Sequence, residues 1–230
     1  MMQIDAFLEL ARKRRSIRKF KPDPVPDDYV QKILEAARWA MSGANGQPWE
    51  FVVVKDPATK RKIGEAFQHY HNNQIVAEMT RLPEYRHGTA TDMDRAATPW
   101  QEAPVIIAVL GDMRTMLIST IIQRLYEQHT FDHNMANAVQ MIHLASAALG
   151  LGSQWLSIDP PRNEAIKPIL GIPPELRIFA LVPLGFPAQQ RTGARRELDE
   201  MVHYEKFDMS RLRSQEAILE FVKNQRRRPA

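Results

Sequence analysis

Apolar residues recur at helical spacing from Asp5 to Arg14, where Phe7, Leu8, Leu10 and Ala11 fall on one face, and this predicts a first helix that ends among basic residues. Pro22, Pro24 and Pro26 break the chain next. Asp27-Asp28 opens a second predicted helix whose apolar face reads Val30, Ile33, Leu34, Ala37 and Ala40, with a stop near Ser42-Gly43. Phe51 to Val54 reads as a strand ended by Asp56-Pro57, and residues 58–70 as a third helix. Pro104 to Leu110 is an almost unbroken apolar run, the pattern of a strand covered on both faces in the middle of a sheet. Met135, Val139, Ile142 and Ala145 to Leu149 predict a long, alanine-rich helix closed by Gly150. A short strand over Ser153 to Ser157, a helix from Arg162 to Leu170 closed by Gly171, and a strand from Phe179 to Gly185 follow, and Ser210 to Asn224 carries a last amphipathic helix.

Residues 71–103 fit none of these periods. They are polar, rich in Thr, His, Arg and Asp, and longer than an ordinary connection, so they are expected to form a cover over a substrate site, with Glu84, Tyr85 and Arg86 as candidate lining residues.

Composition narrows the chemistry. At 230 residues and 44% apolar content the chain supports one substantial core, read as a single domain over 1–230 with an extension at 203–230. It has no cysteine, which excludes disulfides, thiolate metal sites and cysteine nucleophiles. Redox chemistry on such a chain must come from a bound cofactor. The net charge of +4 is spread among residues of both signs with only short basic clusters, so nucleic acid is not an expected partner. No secretory pattern opens the sequence and no apolar run reaches a bilayer's width, so a cytoplasmic protein without membrane attachment is expected. His129 and His133 stand at helical spacing, yet no third ligand is near them in sequence, and no metal site is expected.

Two segments carry candidate chemistry. Arg14-Arg15-Ser16-Ile17-Arg18 supplies guanidinium forks and a hydroxyl that match phosphate oxygens. Ser42-Gly43-Ala44-Asn45-Gly46-Gln47-Pro48-Trp49 supplies small residues for close backbone approach and amides that both donate and accept at a planar ring edge. Taken singly, the first also reads as a solvated helix end and the second as an ordinary turn.

With Gly150-Leu151-Gly152-Ser153, Trp155-Leu156-Ser157, Leu184-Gly185-Phe186-Pro187 and Arg195-Arg196-Glu197-Leu198-Asp199-Glu200 following in order, the chain resembles the nitroreductase superfamily of FMN-dependent oxidoreductases over nearly its whole length. The resemblance implies an α+β fold with a central mixed or antiparallel sheet flanked by helices and a C-terminal extension wrapping a partner subunit. It assigns Arg14, Arg15, Ser16 and Arg18 to the phosphate side and pyrimidine edge of FMN, with Arg18 beside N1 and O2, and Arg195 or Arg196 returning to the phosphate. Met41, Ser42, Gly43 and Asn45 match the segment that reaches the flavin across a homodimer, with Met41 standing where the family usually has proline. Leu156, Ser157 and Ile158 match the backbone laid along the flavin N5 side, and the Ser157 hydroxyl is the one side chain implied at N5. The implied activity is ping-pong electron transfer from NAD(P)H to small aromatic acceptors such as nitroaromatics or quinones. Two alternatives stand beside it: a flavin-dependent reductive dehalogenase acting on halophenols, and a flavin-holding protein without turnover.

Overall fold

The structure is a computed structural model that describes residues 4–69, 71–83, 86, 99–118, 127–189, 193 and 195–226. The first predicted helix forms α1 (Ile4–Lys13) and the second α2 (Asp27–Arg38). They are followed by β1 (Trp49–Val54), α3 (Pro57–His69), α4 (His71–Met79) and β2 (Val105–Asp112). The long helix is α5 (Glu127–Ala148), then come β3 (Gly152–Ser153), β4 (Leu156–Ser157), α6 (Pro160–Leu170), β5 (Leu176–Gly185) and, in the extension, α7 (Gln215–Arg226).

The sheet runs β1-β2-β5-β3, with β4 also on β5, and every pairing is antiparallel. The apolar run of β2 explains the layering. Successive side chains of a strand point to opposite faces, so Val105, Ile107 and Val109 enter one core with Val30, Ile33, Phe131, Met135, Val139 and Ile142 from α2 and α5. Ile106, Ala108 and Leu110 enter a second core with Ile63, Phe67 and Ile166 from α3 and α6. A buried sheet between two helical layers is the α+β architecture expected from the sequence.

Three local differences have physical reasons. The expected single strand over 153–157 is divided into β3 and β4. Opposite the gap, Pro183 accepts from the Gln154 amide at 3.1 Å but has no N–H to return. The last helix begins at Gln215 instead of Ser210, because the Ser214 hydroxyl accepts from the Ala217 amide at 3.2 Å and caps it there. Residues 71–79 form α4 where the sequence shows no helical period; its mixed, polar face is the reason the pattern is silent.

The stretch that starts with α4 leaves and re-enters the fold on one helix. Lys60 of α3 donates to the Ala103 carbonyl at 2.7 Å and the Pro104 carbonyl at 3.3 Å, and Phe67 meets Trp100 edge to face at 5.2 Å between ring centres. Gln101 packs on Gly64 so closely that any side chain at position 64 would collide with it. Both ends of the stretch are therefore fixed to α3.

On the other side of α3, Arg162 of α6 is fully buried over the Phe67 ring, with its charge against Asp159 at 2.6 Å and its Nε donating to the Phe67 carbonyl at 3.3 Å. Among the described residues no helix is long and apolar enough to cross a membrane.

Candidate functional site

The arginine segment leaves α1 as an added strand. The Ile17 amide donates to the Ser153 carbonyl at 3.0 Å, Lys21 to Phe186 at 2.8 Å and Ala188 to Lys19 at 3.0 Å, so residues 16–21 are tied first to β3 and then to the chain just after β5. Buried Ile17 fits because position 152 is glycine: a Cβ there would stand 2.6 Å from the Ile17 side chain. This close approach is the packing reason for a glycine at the first position of β3.

The added strand forms one wall of a cleft of about 710 Å³ lined by Arg12, Lys13, Arg14, Arg15, His143, Ser153, Gln189 and Gly193. No carboxylate lines it among the described residues. Burial, and then the like charges of Arg15 and Arg195, hold Arg14 below the ordinary guanidinium range. Cations crowded this way, half withdrawn from water, await an anion. Two donors reinforce the point. Arg15 spends Nη1 on the Arg14 carbonyl at 2.7 Å, but its Nε is buried with no acceptor among the described residues, and so is Gln189 Nε2. Gly193 lets the late chain approach that Nε; a Cβ there would lie 2.8 Å from it.

His143 of α5 forms the floor. Its Nδ1 lies 2.7 Å from Ser153 Oγ, and its ring stacks on Trp155 at 6.2 Å. Burial, and next the charge of Arg14, push its pKa down to about 4, so the imidazole is neutral at pH 7. From Ser153 the chain runs past Trp155 to Ser157, which is at most about 14 Å away along an extended backbone. There a second cleft, of about 380 Å³, is lined by Asp132, Trp155, Ser157, Ile158, Arg177 and Phe179. Phe179 is the extra residue of a bulge where β5 faces Val109 and Leu110, and it meets Trp155 at 5.6 Å. Arg177 donates to Asp132 at 2.7 Å and covers the Phe131 ring at 4.8 Å.

The 41–47 segment lies elsewhere. Ala44, Asn45 and Gln47 all have positive φ, at 51°, 54° and 45°, a cluster of left-handed non-glycine residues that costs free energy and recurs at functional sites. Side chains hold it in place: Asn134 of α5 accepts from the Gly43 amide at 3.0 Å, Asn137 donates to the Met41 carbonyl at 3.1 Å, and Ser42 Oγ accepts from the Gln47 amide at 3.0 Å. Trp39 and Met41 beside it are 72% and 77% exposed. Asn134 contacts this loop and Ala147 lines the arginine cleft, and at 1.5 Å per helical residue the two lie about 20 Å apart along α5.

Of the sequence-predicted site residues, then, Arg14 and Arg15 line the first cleft, with Arg195 within electrostatic reach of Arg14. Ser16 pairs with Ser153 at the rim, while Arg18 is exposed and lines neither cleft. Arg196 is committed to Glu200, through Nε at 3.2 Å to the carboxylate and Nη2 at 2.9 Å to the carbonyl. Ser157 and Ile158 line the second cleft, and Leu156 is buried beneath it. Met41, Ser42, Gly43 and Asn45 are brought to the strained loop and line neither cleft. Arg86 closes the end of α4, donating to the Met79 and Arg81 carbonyls at 2.8 and 3.0 Å; Glu84 and Tyr85 lie outside the described residues.

Sequence reasoning missed Asn134 and Asn137, Asp132 and Arg177, and the role of His143 beside Ser153. Polar residues three apart beside the apolar positions Phe131, Met135, Ala138 and Val139 are the signal that marks the asparagines.

A wider groove of about 920 Å³ sits within the extension, among Leu198, Val202, His203, Tyr204 and Arg211. It is formed by one short stretch of chain and lacks the buried charge of the arginine cleft.

Fold and clefts together define an α+β protein with a cationic cleft, lined by no carboxylate among the described residues, along the edge of an antiparallel sheet. The sequence profile of the Nitroreductase family matches residues 11–186, and the chain belongs to that family, one of oxidoreductases. It is 36% identical over 189 residues to an NADH dehydrogenase of Thermus thermophilus, covering 78% of this chain and 86% of that protein. It is 28% identical over 209 residues to rat iodotyrosine deiodinase 1, covering 87% of this chain and 70% of that one. Among solved structures, oxidized iodotyrosine deiodinase bound to FMN and 3-iodo-L-tyrosine superposes with a TM-score of 0.68 at 25% identity, over 87% of this chain and 99% of that chain.

Proposed function

We propose that this protein is an FMN-dependent oxidoreductase that draws electrons from NAD(P)H and delivers them to nitroaromatics, quinones or similar flat, electron-poor acceptors. The observation that carries the reading is the pair Arg14 and Arg15 lining a cleft where no described residue is a carboxylate, with the charge of Arg195 felt at Arg14 and two buried donors that have no acceptor among the described residues. These residues fit a phosphate monoester: guanidinium forks match its oxygens, and Arg15 Nε, Gln189 Nε2 and the close backbone at Gly193 supply a cradle of its size. The family match and the FMN in the deiodinase structure support FMN as the phosphate's owner.

In this reading Arg14, Arg15, Ser16 and Arg195 hold the phosphate, and the chain from Ser153 to Ile158 carries the ring toward the second cleft. When bound, FMN supplies hydride acceptance and release, and the protein supplies position and electrostatics. Ser157 presents a hydroxyl at the open end, where Trp155 and Phe179 wall off water. Arg18, exposed in the single chain, is proposed for the pyrimidine edge on the assembled site.

The strained loop serves the other subunit. Its separation of about 20 Å from the arginine cleft keeps it from the same phosphate, so Met41, Ser42, Gly43 and Asn45 reach a partner's flavin in a homodimer. The exposed Leu198, Met201, Tyr204, Phe207, Met209 and Leu212 of the extension are the apolar surface that wraps the partner. Residues 71–103, fixed at both ends on α3, are proposed as the acceptor-facing cover.

The experiment is direct. Protein purified from cells supplied with riboflavin is expected to be yellow, with one FMN per chain, and to oxidise NADH or NADPH when menadione or a nitrobenzene is added. The Arg14→Met/Arg15→Met double variant is expected to fold and to lose FMN affinity by at least about 100-fold, from charge-assisted bonds worth roughly 1.5–3 kcal/mol each. A colourless wild-type protein indifferent to added FMN overturns the proposal.

The likeness to iodotyrosine deiodinase supports a second reading, reductive dehalogenation of halophenols. Anaerobic release of iodide from 3-iodo-L-tyrosine by the reduced protein separates the two.

A further inference from the structure

The floor of the arginine cleft carries a pair that phosphate binding by guanidinium groups does not require. His143 and Ser153 are both buried, both line the cleft and lie 2.7 Å apart, and the Ser153 carbonyl holds the Ile17 amide of the arginine strand. We infer that His143 is a positioning residue for the anion end of the site: through Ser153 it holds the arginine strand in register, and it takes up a proton when a phosphate monoester fills the cleft. The inference rests on the reading of this cleft as the phosphate end of an FMN site.

The electrostatic setting gives the sign. The groups facing His143 are Arg12, Lys13, Arg14 and Arg15 from the end of α1 and beyond, Ser153 from β3, Trp155 on its ring face, and Gln189 from the late chain; among the described residues none is acidic. Burial, and next the charge of Arg14, keep the imidazole neutral, with its pKa at about 4. In the tautomer with its proton on Nε2, Nδ1 accepts a hydrogen bond from the Ser153 hydroxyl. An anion of two charges at the cleft cancels the repulsion from Arg14 and favours the imidazolium. Once charged, Nδ1–H donates to Ser153 Oγ, so the serine hydroxyl turns its own hydrogen toward the anion. The proton comes from solvent, and the relay adds one donor to the phosphate shell.

Proton uptake on binding makes the ligand bind more tightly as pH falls. A nearby opposite charge moves a pKa by about 1–3 units, and a rise of one to two units from the empty-cleft value tightens binding at pH 5 by about 2- to 10-fold. The second ionisation of the phosphate opposes this trend but is the same for every variant.

FMN and riboflavin affinities of apoprotein are therefore to be measured from pH 7.5 to 5 by flavin fluorescence, for wild type, His143→Gln and Ser153→Ala. Between pH 7.5 and 5, wild type is expected to gain about 2- to 10-fold for FMN relative to His143→Gln, and riboflavin, without a phosphate, is expected to show no difference between them. Ser153→Ala is expected to follow His143→Gln. Because a variant can fail to fold, the imidazole of unmutated protein is also to be titrated by NMR with and without inorganic phosphate, where its midpoint is expected to move up by at least one unit.

FMN binding with parallel pH profiles, or an imidazole midpoint unmoved by phosphate, overturns the inference and leaves the flavin reading intact. Protein that binds no FMN at any pH overturns both.

Discussion

Ala44 holds a backbone conformation that a side chain resists, since a left-handed φ brings Cβ against its own carbonyl at about 1–2 kcal/mol. The hydrogen bonds of Asn134, Asn137 and Ser42 keep it there. Ala44→Gly is therefore expected to raise stability by about 0.5–1 kcal/mol, after the greater freedom of glycine in the unfolded chain is discounted, and thermal unfolding measures it. His143 sets a second expectation. Its folded pKa, about 4, lies below the ordinary histidine value, so its contribution to stability is complete above pH 6.5 and is lost as pH falls toward 4. The loss is on the order of 3 kcal/mol, and urea unfolding across that window is expected to be shallower for His143→Gln than for wild type. At this scale the sequence was partly legible. Arginines in a row, with a hydroxyl among them, announce an anion whatever the fold. The partners of the 41–47 loop lie some ninety residues away, and no local pattern couples Gly43 to Asn134.

Among the elements, β3 has the least tolerance. Gly152→Val places atoms where Ile17 already stands, 2.6 Å from the new Cβ, and is expected to push the arginine strand off the sheet. The outcome is a combined loss: a melting temperature lower by several degrees and FMN affinity reduced at least about tenfold, an overpacking cost of roughly 1–3 kcal/mol read by both calorimetry and flavin titration. Gly171→Ala, with open space around its Cβ but a φ of 64°, lies outside the cleft and is the control, expected to leave flavin affinity unchanged. The elements most readable in advance are those whose burial is complete. β2 needed no context because its residues from Val105 to Leu110 are all within 3% of full burial. α6 was bracketed by its caps, with Asp159 accepting from the Arg162 amide and Gly171 at a φ of 64°. The break between β3 and β4 was hidden, because it depends on a proline in another strand.

For the whole molecule, the exposed apolar row of the extension is the feature a single chain leaves unexplained. Deleting residues 203–230 is expected to convert the proposed dimer largely to monomer and to lower retained flavin, with sedimentation velocity and visible absorbance as the measurements. A truncated chain that remains dimeric with full colour removes the extension from the assembly. The helical layers on the two faces of the sheet were legible from alternating periods along the chain. The residues proposed for a subunit contact were not marked by such periods, since each looks from its own neighbourhood like solvent-facing surface.

Lys60, Gly64 and Phe67 give α3 the character of a socket: both ends of the stretch between residues 69 and 99 plug into it, and neither enters the main sheet. Doubling the length of a tethered stretch costs only about 0.6 kcal/mol in closure entropy. Insertions, deletions and grafts at this position are thus expected to leave the remainder folded, and if the stretch is the cover proposed above, the socket is the natural place to retarget the protein.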